Sequence, residues 1–236
     1  MISLALFSLF IQGVVSFAPS FRHATVATTP STTSLNFFDK MFEEEGPLGK
    51  GITVGKVQVG LSVFDRKLID ILEEESDSYG SEPEELSQLC NAVCLHLLRR
   101  QDDWISACSE SQWFSQKDAG KAESLFNDWS NEEATKFEKE YYKEFDEDDG
   151  KKVEDGGPTN VVVSIVVEIQ GDETNFEKAG FSRQGTKDVL TSIASDCIVD
   201  DGYCLNAVEI FWTPGDRKEV LSKNDVIMDF PKLIDL

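Results

Sequence analysis

The stretch VVVSIVVEIQG, residues 161–171, decides the fold of this chain. Valine or isoleucine occupies every odd position from 161 to 169, and Val162 and Val166 add apolar side chains on the other side. Apolar residues at every second position predict a β-strand. Because a strand that is apolar on both sides must be covered on both, we expect this one to lie in the interior of its sheet.

Two other segments predict further strands. Val57, Val59, Leu61 and Val63 alternate with polar or small residues, which is typical of a half-buried strand. NAVEIFWTP, residues 206–214, is apolar over most of its length and ends at a proline. A helix expected at 183–194 separates this last strand from 161–171, and such a strand–helix–strand unit predicts a parallel pair with a right-handed crossover.

Helical spacing covers most of the remaining domain. From Leu61 the apolar residues repeat at three and four, so we expect a helix to follow the first strand directly and to run to about residue 75. A capping box at 81–84 opens a second helix, which ends near residue 99. A third helix is expected over 113–129, and a second capping box at 130–133 opens a fourth.

The last helix is short and is capped by the box Ser222-Lys223-Asn224-Asp225. Long helical stretches between few strands favour an α+β fold. We expect a small mixed three-stranded sheet with helices packed on one face, in the order β-α-α-α-α-β-α-β-α.

The first 38 residues contain no acid and predict a targeting sequence. Residues 1–16 have the apolar character of a signal peptide, and Val14 and Ser16 suit a peptidase cut before Phe17. Residues 17–38 are rich in serine and threonine and hold one arginine, which is the composition of a transit peptide. The pair resembles the two-part presequence of algae with secondary plastids. The alternatives are a plain secretory signal and an uncleaved signal anchor.

The rest of the chain is strongly acidic. Residues 39–236 hold all 44 acidic residues and all but one of the 22 basic residues. The resulting excess of negative charge repels phosphate and argues against nucleic acid and anionic membrane surfaces as partners. The charge either keeps the protein soluble or forms a docking face for a basic partner. We expect an irregular lead-in at 39–51 and a single domain at 52–236, with a mobile acidic loop at 146–160.

Two of the five cysteines are candidates for a redox pair. Cys197 and Cys204 flank the sequence IVDDGY, which a turn could fold so that the thiols meet. In the reducing stroma of a plastid, a disulfide there would be regulatory. The alternative is two unrelated buried thiols, and we expect the neighbouring acids to raise the thiol pKa and oppose reactivity. Those acids are Asp196, Asp200 and Asp201.

The sequence predicts no catalytic, cofactor or metal site. Cys90 and Cys94 with His96 do not supply the four ligands of a structural zinc site, so we interpret both thiols as core residues. The acidic runs at 43–45, 73–75 and 146–149 lack the spacing of a calcium loop. Phosphate-binding loops, GxSxG and HExxH are absent from the sequence. The four tryptophans, at 104, 113, 129 and 212, are expected to anchor the core, and one or two alternatively line a partner groove.

The C-terminal stretch NAVEIFWTPGDRKEVLSKNDVIMDFPKLIDL, residues 206–236, resembles the signature of a family known as domain of unknown function 1517. GKVQVGL at 55–61, HLLRR at 96–100 and the strand at 161–171 resemble further blocks in the same order, so the resemblance covers about 52–236. Members often have RHPDYW where this chain has RRQDDW at 99–104. The signature residues are Glu209, Trp212, Thr213, Pro214, Asp229, Phe230 and Pro231.

The resemblance implies a role in photosynthesis. The family is cyanobacterial and plastid, and plant members that act in acclimation to fluctuating light are linked to photoprotective quenching and the trans-thylakoid proton gradient. It implies a non-enzymatic protein of the plastid stroma, or peripheral at the thylakoid, that binds another plastid protein. The alternative is a small-ligand binder or an enzyme of unrecognised type, with a pocket near Glu209 and Trp212.

Overall fold

The computed structural model describes residues 43–137, 158–215 and 219–236. The predicted signal and transit peptides, and most of the predicted acidic loop, lie outside the described residues. Within them the chain forms five α-helices and seven β-strands. The helices are α1 (Lys67–Ser78), α2 (Pro83–Arg99), α3 (Ala119–Phe137), α4 (Arg183–Asp196) and α5 (Lys223–Asp229). The strands are β1 (Glu45–Gly46), β2 (Gly49–Lys50), β3 (Ile52–Val63), β4 (Trp104–Phe114), β5 (Thr159–Gln170), β6 (Leu205–Thr213) and β7 (Ile234–Asp235).

Five of the described strands form one antiparallel sheet in the order β6-β5-β3-β4-β7, and β1 and β2 form a separate pair. The prediction of an α+β fold is confirmed, and β5 lies in the interior of the sheet as its sequence indicates. The predicted three-stranded mixed sheet and the predicted element order are wrong. β4 and β7 are additional strands, and the pairings β3–β4, β3–β5, β4–β7 and β5–β6 are antiparallel.

The predicted parallel crossover between β5 and β6 is wrong because the segment after β5 runs back along the sheet. Phe176 lies against Gly55 near the start of β3, and Gly180 lies against Ala107 near the start of β4. Arg183, at the start of α4, donates hydrogen bonds to the carbonyls of residues 101 and 104. α4 therefore returns the chain to the end at which β5 finished, and β6 enters antiparallel to β5.

The helices cover both faces of the sheet, and the prediction of one covered face is wrong. Odd-numbered residues of β3 and β5 face a large apolar core with α1, α2 and α4, which we call the α2 face. Even-numbered residues of these strands face α3 and α5, which we call the α3 face. The second covered face exists because α3 carries its own apolar stripe, which includes Ala122 and Phe126.

Three helix boundaries differ from the sequence-based expectations. β3 continues to Val63, and α1 begins only at Lys67, after Arg66 with a φ of 53°, so Phe64 is exposed rather than helical. Residues 104–114 form β4, so Trp113 belongs to a strand and not to a helix. α3 runs unbroken through Ser130, so the predicted cap at 130–133 is helix interior.

The capping predictions for α2 and α5 agree more closely with the structure. α5 begins with the predicted box, in which the hydroxyl of Ser222 accepts from the amide of Asp225. α2 also begins with a capping box, but its N-cap residue is Glu82 and not Ser81. Caps are readable from sequence because both partners lie within one helical turn.

Candidate functional site

The α3 face of the sheet contains a row of polar residues where an apolar layer would be expected. Strand pairing places Lys56 beside Glu110, and Gln58 between Ser164 and Cys108. These side chains lie beneath the C-terminal half of α3. Lys56, Gln58 and Ser164 are each only 1% exposed, so α3 encloses their polar groups.

Glu133 of α3 is the centre of this network. Its carboxylate is fully buried and, among the described residues, accepts hydrogen bonds from four side chains. The donors are Lys56 Nζ at 3.2 Å, Gln58 Nε2 at 2.9 Å, Ser164 Oγ at 3.0 Å and Lys136 Nζ at 2.8 Å. We call Lys56, Gln58, Glu133 and Ser164 the buried network.

Lys56 is held as a charged ammonium. Its Nζ lies 2.9 Å from Glu110 Oε1 and 3.7 Å from Glu132 Oε2, and 5.4 Å from the centre of the Trp129 ring. Burial alone lowers the pKa of Lys56, but Glu110, Glu133 and Glu132 together outweigh it and raise that pKa above its ordinary value. A lysine with a raised pKa stays protonated at neutral pH, and a protonated amine acts neither as a nucleophile nor as a general base.

The thiol of Cys108, beside the buried network, is also protonated. It donates to Gln58 Oε1 at 3.3 Å, and burial together with the nearby Glu110 raises the pKa of Cys108 to about 11. The buried network therefore fixes α3 on the sheet through satisfied hydrogen bonds.

Glu209 and Trp212, near which the sequence predicted an alternative pocket, lie on opposite faces of β6. Glu209 is 6% exposed on the α3 face, where burial raises the pKa of its carboxyl and the Ser130 hydroxyl partly offsets the rise. Trp212 packs into the core of the α2 face. The two side chains therefore do not converge on one cavity.

The other signature residues lie near the end of β6 and the end of α5. Thr213 is buried at the end of β6, and its peptide bond to Pro214 is cis. Phe230 is buried at the end of α5, where Lys136 Nζ lies 4.9 Å from its ring centre. Asp229 is the last residue of α5, and Pro231 lines the pocket described below.

Cys197 and Cys204, the predicted redox pair, are both free and buried. The hydrogen bond between the Cys90 and Cys197 thiols, together with burial, raises the pKa of Cys197 well above its ordinary value. Burial, Asp200 and Asp196 raise the pKa of Cys204. Asp196 also raises the pKa of Cys197, so two of the three neighbouring acids act as predicted. Pairing of the two thiols remains a prediction.

The described structure contains a pocket that the sequence did not predict, between α5 and the strands β4 and β7. It has a volume of about 90 Å³ and mainly apolar walls, formed by residues that include Ile105, Val226 and Phe230. Ser106 contributes a hydroxyl, and Lys223 and Asp235 supply one charge of each sign.

Two exposed apolar side chains of α5 lie at or beside this pocket. Ile227, which lines it, is 59% exposed, and its neighbour Met228 is 78% exposed. Ile234 of β7 is also exposed, but it pairs with Ala107, whose side chain lies in the core of the α2 face, so Ile234 belongs to the other side of the sheet. We call Ile227 and Met228 the C-terminal patch. Apolar side chains exposed beside a pocket favour an interaction site.

The part of the chain that the structure describes contains no group of three or more histidine, cysteine or carboxylate side chains arranged to hold a metal ion. No helix among the described residues combines the length and the apolar character that a membrane span requires.

The chain is similar to two curated proteins of photosynthetic organisms. Protein FLAP1 homolog A of Synechocystis sp. is 25% identical over 200 residues, which cover 77% of this chain and 56% of that protein. The FLUCTUATING-LIGHT-ACCLIMATION protein 1, chloroplastic, of Arabidopsis thaliana is 30% identical over 189 residues, which cover 77% of this chain and 46% of that protein. The chain thus spans about half the length of these relatives.

No solved structure matches the chain. A family model described as "Protein of unknown function (DUF1517)" matches residues 51–236, which include every element from β3 to β7. The match confirms the resemblance that the C-terminal signature indicates. The chain belongs to this DUF1517 family of proteins of unknown function.

Proposed function

We propose that this protein is a non-enzymatic accessory or regulatory factor of photosynthesis that acts by binding another plastid protein. The names of the two relatives support a role in photosynthesis, because one is a light-acclimation protein of a chloroplast and the other is its cyanobacterial homologue. The N-terminal sequence supports the same compartment, since its composition is that of a signal peptide followed by a transit peptide. We place the mature protein in the stroma of a secondary plastid, free or peripheral at the thylakoid.

The observation that carries the binding role is the C-terminal patch. Its two side chains are 59% and 78% exposed in a chain whose net charge is −22. Apolar side chains that gather around a pocket on an acidic protein favour a contact with another protein. The buried network and the adjacent Cys108 are consistent with a role other than catalysis, because Lys56 and the thiol of Cys108 are held in protonated states.

The test is affinity purification of the tagged mature protein from isolated plastids, in light and in dark, with quantitative mass spectrometry. We expect a component of the photosynthetic apparatus to co-purify above an untagged control. Recovery of no protein above background in either condition would contradict the binding role. Turnover of a plastid metabolite by the purified protein would contradict the non-enzymatic one.

A further inference from the structure

The pocket beside the C-terminal patch contains a buried hydroxyl that lacks a hydrogen-bond partner within the described residues. Ser106 is 3% exposed, and its Oγ lies over Gly60, where a Cβ atom would approach it to 2.4 Å. A buried hydroxyl without a partner is unfavourable, so a ligand group that bonds to it gains affinity. Of the buried hydroxyls that lack a partner among the described residues, that of Ser106 is the one whose residue lines the pocket.

The size of the pocket limits its occupant. Its volume of about 90 Å³ is well below the ~300–1,000 Å³ of pockets that enclose small molecules. A single side chain that projects from a protein segment fits this space, and the C-terminal patch supplies the apolar surround that such an anchor requires. An apolar wall with one buried hydroxyl suits a side chain that has an apolar body and a polar tip.

The charges around the pocket indicate the flanks of that segment. Asp235 and Lys223 line the pocket with one charge of each sign, and α5 adds the carboxylate of Asp225 in its first turn. Lys232, the nearest further cation in sequence, pairs at 2.9 Å with Glu110, which also binds Lys56. Because the whole chain carries −22, lysine or arginine beside the anchor is favoured and acidic flanks are repelled.

We infer that the pocket receives one side chain of a partner protein, with an apolar body and a hydroxyl tip that bonds to Ser106, from a segment whose flanks are basic. This inference rests on the proposed protein-binding function and names the chemistry of the partner. The apolar body buries Ile227 and Met228, and the basic flanks lie against the acids of α5 and β7.

The test of the chemistry uses the full mature protein and fluorescent nonapeptides. The peptides carry a central Tyr or Phe, or a central Thr or Val, with three flanking lysines or three flanking glutamates. Binding is measured by fluorescence anisotropy on the wild type, on Ser106→Ala, on Ile227→Asp and on Ile198→Asp. Ile198 is the matched control, since it is 52% exposed but lies beyond α4, at the opposite end of the sheet from Ser106.

We expect the lysine-flanked peptides to bind, and the hydroxyl member of at least one pair to bind about five- to tenfold more tightly than its partner. That preference should disappear in Ser106→Ala, and affinity should fall more than tenfold in Ile227→Asp but not in Ile198→Asp. No binding by any peptide, equal binding by glutamate-flanked peptides, or a hydroxyl preference that survives in Ser106→Ala would overturn the inference. Thermal melts of each variant confirm that it folds.

Repeating the plastid purification with Ile227→Asp and Ile198→Asp separates the two proposals. A partner captured by the wild type and Ile198→Asp, but lost from Ile227→Asp, supports the inference. A partner captured equally by all three overturns the inference and leaves the proposed function standing. No partner captured by the wild type overturns both.

Discussion

Replacement of Glu133 by glutamine tests whether the buried network holds α3 on the sheet. The substitution keeps the shape of the side chain but removes its charge and turns one of its oxygens into a donor. Gln58 and Ser164 both donate to the same carboxylate oxygen, at 2.9 and 3.0 Å, and Lys56 donates to the other at 3.2 Å. In the variant, either the lysine or the Gln58–Ser164 pair meets an N–H group instead of an acceptor.

The loss of stability expected for Glu133→Gln depends on the ion pairs that Lys56 keeps in the variant. Removing one partner of a buried ion pair costs about 3–5 kcal/mol of unfolding free energy. Lys56 retains Glu110 at 2.9 Å, which compensates part of its charge. We therefore expect Glu133→Gln to cost about 3 kcal/mol. For a domain of this size, that loss lowers the melting temperature by ~6–12 °C.

A double-mutant cycle isolates the interaction itself. Lys56→Met removes the buried ammonium and its contact with Glu133, and it leaves the fully buried carboxylate with one cation fewer. If the two groups stabilise each other, the double variant loses at least 1 kcal/mol less than the sum of the single variants. Lys136, which lies 2.8 Å from Glu133, limits the coupling because it continues to bind the carboxylate in Lys56→Met.

The assay is urea unfolding followed by tryptophan fluorescence and far-ultraviolet circular dichroism, with the slope m compared between variants. The matched control is Glu132→Gln, one residue earlier on α3, where the carboxylate is 47% exposed and contacts Lys56 only at 3.7 Å. We expect that control to change stability by less than ~0.5 kcal/mol. A loss below about 1 kcal/mol in Glu133→Gln, or strict additivity in the cycle, would refute the claim that the buried network holds α3 on the sheet.

Three further predictions concern other parts of the fold. Burial raises the pKa of Glu209 in the folded state, so its ionised form opposes folding above that pKa. Glu209→Gln should therefore stabilise the protein by about 1 kcal/mol at pH 8 and by less at pH 5. Thermal melts at the two pH values check this, and Glu73→Gln, at an exposed position, is the control that should leave stability unchanged. Gly55→Ala places a Cβ atom 2.0 Å from the Phe176 ring and should cost ~1–3 kcal/mol in urea unfolding, part of which Phe176→Leu in the same chain restores; no recovery would argue against the contact. Ser222→Ala removes the N-cap of α5 and should cost about 1 kcal/mol, and an unchanged unfolding midpoint would show that the cap is dispensable.

Local signals in the sequence predicted β5, α4, β6 and the start of α5 well. β5 was expected over 161–171 and spans Thr159–Gln170. The prediction succeeded because the alternation of its apolar residues is visible within the strand itself. Ser222 was expected to cap α5 and does so, since a cap is formed within one turn. The family assignment likewise follows from a continuous stretch at 206–236.

β4 was missed because its apolar residues do not alternate. Its buried apolar side chains are Trp104, Ala107 and Phe114. Between them the α3 face of the strand carries Ser106, Cys108 and Glu110, which leaves no hydrophobic period of two. Their burial becomes favourable only when other elements supply partners, as Gln58 does for the Cys108 thiol. The pocket was missed because its wall combines distant parts of the chain. Ser106 lies on β4, while most of the wall comes from the region around α5.

The sequence by itself determined the α+β class, the strongest strands and the family, because these depend on patterns that repeat within a few residues. Only the tertiary structure decided the antiparallel order of the sheet, the second covered face and the buried network. Lys56 and Glu133 are 77 residues apart, and their contact exists only because β3 and α3 are brought together. Long-range contacts of this kind leave no periodic trace in the chain, since each residue alone resembles an ordinary solvated charge.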